Sequence, residues 1–175
     1  MTTKILDKDN PILRAHSKDV AIKDIKSKAI QSVIKNMKDA LNEQDDGVAI
    51  AAPQIGENLN IFIVSKKAFE LIKGNKKNII LEDMVFINPQ IIKFSKKRKA
   101  MEEGCLSVRW LYGKVERSEK VHIRAYDESG DIIERGSTGL LAQIFQHEID
   151  HLNGILFIDK AKDLEEIPPV NTKSN

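Results

Sequence analysis

The sequence predicts an α+β fold, with mostly antiparallel β-sheets packed around a central buried helix and an N-terminal amphipathic helix ahead of them. Three observations predict it. Helical spacing of apolar residues occurs twice, over residues 22–41 and 139–153. Short β-branched or alternating runs lie between those two segments. The order is helix, several strands, helix, without the regular alternation of βαβ units.

Each element follows from its residues. Ile22, Ile25, Ala29, Val33, Met37 and Ala40/Leu41 recur at steps of three and four, with lysines on the outer face, and Asp45-Asp46-Gly47 supplies turn chemistry beyond them. The runs 59–64 (LNIFIV) and 84–87 read as strands. Between them, residues 65–83 carry Lys66, Lys67, Lys76 and Lys77 around Gly74-Asn75 and read as a surface excursion. Val121, Ile123 and Ala125 alternate with polar partners, Asp127-Glu128-Ser129-Gly130 reads as a hairpin turn, and the return strand starts over 131–134. The second helix can be capped by Ser137 or Thr138, and Gly154 stands where a C′ glycine belongs. Leu140, Ile144, His147 and His151 share one face of it, and Leu141, Phe145, Ile149 and Leu152 another. A helix that is apolar on most sides is a buried one. After Asp159 the chain turns polar, and Pro168-Pro169 onward reads as a frayed tail.

Composition bounds the function. At 175 residues, 41% apolar and 31% charged, the chain can bury one core and is too apolar for a disordered protein. The expected organisation is a single domain over 1–165 and a polar tail over 166–175. No stretch approaches the ~18 apolar residues of a membrane span. The charged start MTTKILDKDN lacks an apolar signal segment, so the expected location is cytoplasmic. Lys+Arg 28 against Asp+Glu 26 gives +2, too small an excess for a nucleic-acid binder, and the run 93–99 (KFSKKRK) reads as a solvated edge or turn. One cysteine, Cys105, rules out an intrachain disulfide and leaves either a small buried hydrophobe or a chemically used thiol.

The buried helix carries Gln146-His147-Glu148-Ile149-Asp150-His151. Histidines at i and i+4 lie one above the other on one helical face, so both imidazoles can reach one ion. Glu148 can lean over that ion as a general base. A catalytic site of this type takes three protein ligands and keeps one position open. The extended pattern H-E-x-x-H-x-x-G-x-x-H matches as far as Gly154 and then meets Phe157 in place of histidine. Glu165 and Glu166 are available downstream, beside a proline-rich end, and Cys105 is the remaining strong candidate, in Glu102-Glu103-Gly104-Cys105-Leu106-Ser107. Gly104 permits an unusual backbone angle just ahead of that ligand.

Three segments together resemble one family, the peptide deformylases. Gly47-Val48-Ala49-Ile50-Ala51-Ala52-Pro53-Gln54 is similar to its G-x-G-L-A-A-x-Q, Glu103 to Ser107 matches its E-G-C-L-S, and Gln146 to His151 matches its Q-H-E-x-D-H. The resemblance implies removal of the formyl group from the N-terminal methionine of nascent polypeptides, with release of formate. It implies that Cys105, His147 and His151 hold one divalent metal ion, Fe²⁺ in the cell with Zn²⁺, Ni²⁺ or Co²⁺ as substitutes. Glu148 is then the base, while the Gln54 amide and the Leu106 backbone N–H face the developing oxyanion. Val48, Met101, Leu140 and Ile144 are expected around the methionine side chain, and the substrate backbone beside residues 47–50 (Gly47, Val48, Ala49, Ile50) in an extended, β-augmenting pose. Glu103 and Arg117 are expected to pair and hold the cysteine loop, and Asp150 to orient a neighbouring group or His151. His16 and His122 are expected at the surface. The implied partners are a formyl-methionyl peptide or nascent chain, with transient ribosome proximity, no direct nucleic-acid site, no membrane and a monomeric state.

The sequence also departs from the family pattern. Ala49 replaces the second glycine and Ile50 the leucine; Val108-Arg109-Trp110 follows Ser107 where many members have a proline; Gln143 occupies a position often apolar. Trp110 is therefore expected at the cleft rim, and Gln143 is expected to make the methionine slot more polar or differently shaped.

Overall fold

The computed structural model describes residues 3–72 and 82–169. Gly74-Asn75, Lys76 and Lys77 of the expected excursion, and the tail from residue 170, lie outside the described residues.

The fold is α+β with antiparallel sheets. The described elements run α1 (Lys28–Asn42), β1 (Ala49–Ala51), β2 (Ile61–Val64), α2 (Lys66–Leu71), β3 (Met84–Phe94), β4 (Arg98–Cys105), β5 (Val108–Ser118), β6 (Lys120–Tyr126), β7 (Ile132–Thr138), α3 (Gly139–Leu152) and β8 (Lys162–Glu166), with short 3₁₀ turns between some of them. One sheet has five strands in the order β1-β2-β3-β6-β7; the other has three in the order β4-β5-β8.

The five-stranded sheet has two apolar faces. Alternation along β1 sends Ala49 and Ala51 toward α3 and Ile50 toward α1. On the α3 side Phe62, Phe86 and Phe145 form an aromatic cluster, with Phe62 stacked on Phe86 at 4.7 Å and Phe86 edge-on to Phe145 at 5.1 Å. Ile34, Met37 and Leu41 of α1 cover the other side, against Ile50, Ile61 and Ile63.

Several boundaries differ from the sequence expectation. The first helix begins at Lys28, because the Ser27 hydroxyl accepts from Ile30 N–H and caps it; Ile22–Asp24 is a separate 3₁₀ turn. β3 continues to Phe94, seven residues beyond the expected strand end, and its last residues are exposed. The lysine-rich run spans the end of β3, the turn to β4 and the start of β4. Thr138 stands at the N-cap of α3 without a side-chain cap bond, while Ser137 Oγ donates to Val121 O at 3.4 Å. Gly154 takes φ +73°, and a Cβ there would lie 2.5 Å from Arg14 O, so this corner demands glycine. The chain after Asp159 is not simply a polar end: β8 pairs antiparallel with β5, placing Leu111 opposite Glu166, and the expected 165/166 boundary falls within that strand.

Candidate metal centre and cleft

α3 reaches the three-stranded sheet through polar contacts. The Gln146 side chain accepts from Ser118 N–H at 3.0 Å and donates to Ser118 O at 3.0 Å, docking the helix on the end of β5. His147, the next residue, and His151, one turn further on, face Cys105, the last residue of β4. The ligand atoms of Cys105, His147 and His151 lie within 4.8 Å of one another, with Cys105 Sγ 3.1 Å from His151 Nε2. The two imidazole centroids are 5.0 Å apart. This is the arrangement of one thiolate and two imidazoles around a shared point, a donor set suited to a borderline-soft divalent ion. Glu165 and Glu166, the sequence alternatives for the third ligand, are exposed on β8 and join no such group among the described residues.

Glu148 is 4% exposed, and its Oε2 has no hydrogen-bond partner among the described residues. A buried carboxylate oxygen without a partner is costly. Beside a metal triad, its natural partner is the proton of an attacking water, so the residues present fit a catalytic ion. Burial, the dominant influence, pushes the Glu148 carboxyl up to about 7, against the opposing charges of His147 and His151. A base poised there suits proton transfer at neutral pH. Burial alone would also raise the Cys105 thiol, but the charge of His151 and hydrogen bonds from His147 and His151 outweigh it and hold the thiol well below its ordinary range.

A buried ion-pair network stands behind the triad. Arg117 grips Glu103 with two bonds, Nε–Oε1 at 2.7 Å and Nη2–Oε2 at 2.9 Å, while Nη1 reaches Asp150 Oδ2 at 2.6 Å. Glu103 Oε2 also lies 2.9 Å from His147 Nδ1. That contact fixes the ring so that Nε2 faces the triad, the usual arrangement of carboxylate, histidine and metal. Burial by itself would raise Glu103, yet the bonds from His147 and Arg117 outweigh it and hold the carboxyl at about 2. Asp150 does not orient His151; it completes the network through Arg117 and Lys160, the latter at 2.7 Å.

The triad opens into a cleft of about 330 Å³. Gly47, Val48, Ala49, Gln54, Cys105, Leu106, Leu140, Ile144, His147 and Glu148 line it, as do Trp110 and Gln143. Gln54 is anchored at both ends: its Oε1 accepts from Ala51 N–H at 2.8 Å, and its Nε2 donates to Ser107 Oγ at 3.1 Å while lying 3.6 Å from Cys105 Sγ. Gln143 Nε2 donates to Glu102 O at 2.7 Å.

Two expected substrate contacts do not line this cleft. Ile50 is fully buried on the α1 face of its strand, and Met101 lies one position before the stretch 102–105 that forms the wall. Gly104 has no positive φ; what requires glycine there is the Tyr112 ring, 2.8 Å from where a Cβ would stand. His16 is exposed and His122 is half-buried. Sequence reasoning missed Asp46, Val108, Arg109, Leu111 and Tyr112 in the lining, and Ser107 as the Gln54 partner. Only Ser107 carried a signal, as the last residue of the cysteine motif. Arg109 binds Asp46 at 2.7 Å and Gln44 Oε1 at 2.6 Å, joining the β5 wall to the loop before β1.

Fold and site define a metallohydrolase architecture, and the comparisons with known proteins identify which one. Residues 2–166 match the family model described as polypeptide deformylase, so the chain belongs to the polypeptide deformylase family. It is 41% identical over 157 residues to a peptide deformylase of Halothermothrix orenii, covering 90% of this chain and 92% of the relative. It is 36% identical over 166 residues to the chloroplastic peptide deformylase 1B of Solanum lycopersicum, covering 91% of this chain and 53% of the relative. The chain thus spans about half the length of that plant relative. Among solved structures, the Met-Ala-Ser-bound class I type b peptide deformylase of Acinetobacter baumannii matches with a TM-score of 0.78 at 31% identity, covering 91% of this chain and 99% of that one. Among the described residues, no helix is long and apolar enough to cross a membrane.

Proposed function

We propose that this chain is a metal-dependent deformylase that hydrolyses the N-formyl group of formyl-methionyl peptides and nascent chains, releasing formate. The observation that carries this reading is the convergence of Cys105, His147 and His151 beside the partnerless buried oxygen of Glu148. A divalent ion on those three residues supplies Lewis acidity, acidifying water and polarising the formyl oxygen. Glu148 takes the proton of the attacking water and delivers it to the leaving amine, a base and then an acid. The Gln54 Nε2–H and the Leu106 backbone N–H face the developing oxyanion, where each donor is worth about 10²–10³ in kcat.

Val48, Leu140 and Ile144 form the apolar slot for the methionine side chain, and the free edge of β1 pairs with the extended peptide backbone. The peptide named in the Acinetobacter structure, Met-Ala-Ser, has the deformylated N-terminal methionine that such a reaction leaves. One thiolate and two imidazoles accept Zn²⁺, Ni²⁺ or Co²⁺, and the family resemblance favours Fe²⁺ in the cell. The enzyme acts as a monomer in the cytoplasm, close to the ribosome where formylated chains emerge.

Glu148→Gln tests the proposal. Metal analysis should show the ion retained, while formate release from formyl-Met-Ala-Ser falls by about 10²–10⁴-fold. Unchanged turnover would refute the assignment. Cys105→Ala should lose the ion; retention with full activity would point to a different third ligand.

A further inference from the structure

A second cavity, about 560 Å³, lies outside the catalytic cleft, between β3, β6, β7, α2 and the first turn of α3. Its size falls within the ~300–1,000 Å³ of small-molecule sites. Phe69, Phe94, Val121 and Leu141 give it apolar walls. Phe94 is 65% exposed, a large aromatic surface left to water at the rim.

The charge in this cavity has one sign. Arg135 stands in the wall with its guanidinium over the Phe69 ring, 5.2 Å from the centroid. Its Nη1 reaches only the Met84 sulfur at 3.3 Å, a weak acceptor, and no carboxylate pairs with it among the described residues. Burial, the one influence acting on it, pushes its pKa down. Lys93 and Lys120 also line the cavity, and neither forms an ion pair among the described residues. The neighbouring carboxylate, Glu134, is held by Arg124 at 2.7 Å and does not line the space. A half-buried guanidinium without an anion is incompletely satisfied, and a planar carboxylate is the group its fork fits best.

We propose that this cavity binds a carboxylate bearing an apolar chain, with the carboxylate on Arg135 and the chain along Phe69, Phe94, Val121 and Leu141. The concave shape and apolar walls select a small amphiphile, because a nucleic-acid surface would be open and basic throughout. The site is separate from the cleft: Leu141 faces it, whereas Leu140 and Ile144 of the same helix face the cleft.

The experiment is calorimetric titration of the metal-loaded full chain with dodecanoate, with dodecanol as the uncharged control. One dodecanoate should bind per chain, dodecanol should bind at least tenfold more weakly, and formyl-Met-Ala-Ser should not displace the acid. Arg135→Met should weaken binding by about ten- to a hundredfold, with formate release unchanged. Absence of binding, equal affinity for dodecanol, unaltered binding by Arg135→Met, or displacement by the peptide would each overturn the proposal. Since binding is read without turnover, the result is independent of the catalytic assignment.

Discussion

The two sheets meet α3 by different means. The five-stranded sheet is held by apolar contact on both faces: Phe62, Phe86 and Phe145 on one side, Ile50, Ile61 and Ile63 on the other. The three-stranded sheet buries Val108 and Val115 in a small apolar cluster, but its contacts at the site are ionic: Glu103 and Arg117 are 2% and 4% exposed and bonded to each other. The difference teaches where this protein places stability and where it places chemistry. The apolar sheet fixes α3. The polar sheet brings Cys105 to it and aims His147 through Glu103.

Substitutions in each sheet should separate these roles. The largest effect is expected from Phe86→Ala, which removes the centre of the aromatic cluster: a loss of about 3–5 kcal/mol in urea unfolding, with formate release per folded molecule unchanged. A matching loss of activity in the folded fraction would break the comparison. Arg117→Met should cost about 3 kcal/mol by leaving Glu103 buried without its cation, and unlike Phe86→Ala it should also weaken metal retention, read by dialysis against a chelator.

The acid limb sharpens the same contrast. In the metal-free protein Glu103 sits at about 2 against an ordinary 4.5. A depressed carboxyl stabilises the fold above its unfolded value, and that contribution, of order 3 kcal/mol, disappears as pH falls from about 4.5 toward 2. Arg117→Met should flatten this limb of the stability–pH curve. Next in size, Gly113→Ala drives a Cβ to 2.9 Å from Leu164 and 3.0 Å from Ala161, and should destabilise by about 1–3 kcal/mol through displaced β8. The smallest effect belongs to Lys114→Ala. Its partner Asp163 is 68% exposed, and the loss should stay below about 0.5 kcal/mol, within the error of the unfolding curve.

The same contrast decides what could be read from the sequence. Apolar periodicity marked α1, α3 and β2, since those elements are built by burying apolar side chains. The Glu103–Arg117 pair was foreseen only through family resemblance, because hydropathy assigns such residues to the surface. β8 was missed for a related reason. All five of its residues are exposed, so pairing with β5 leaves no apolar pattern to detect. Spacing and residue type marked His147, Glu148 and His151 as a group and left Cys105 among several candidates to join them; the resemblance singled it out, and the structure brings the donor atoms of Cys105, His147 and His151 within 4.8 Å of one another. The Arg109 bridge to Asp46 was not, because it joins residues far apart in sequence through one side chain whose direction only the folded cleft determines.

Gln54 shows how little freedom the cleft retains. With its oxygen bonded to the Ala51 N–H and its nitrogen turned to Ser107 and the sulfur, this amide has a handedness of charge that thermal motion cannot reverse. Rotating the amide by half a turn would set an electron-rich atom against an electron-rich sulfur and strip a backbone hydrogen of its acceptor. The direction of this dipole is therefore set by the fold itself, before anything enters the cleft.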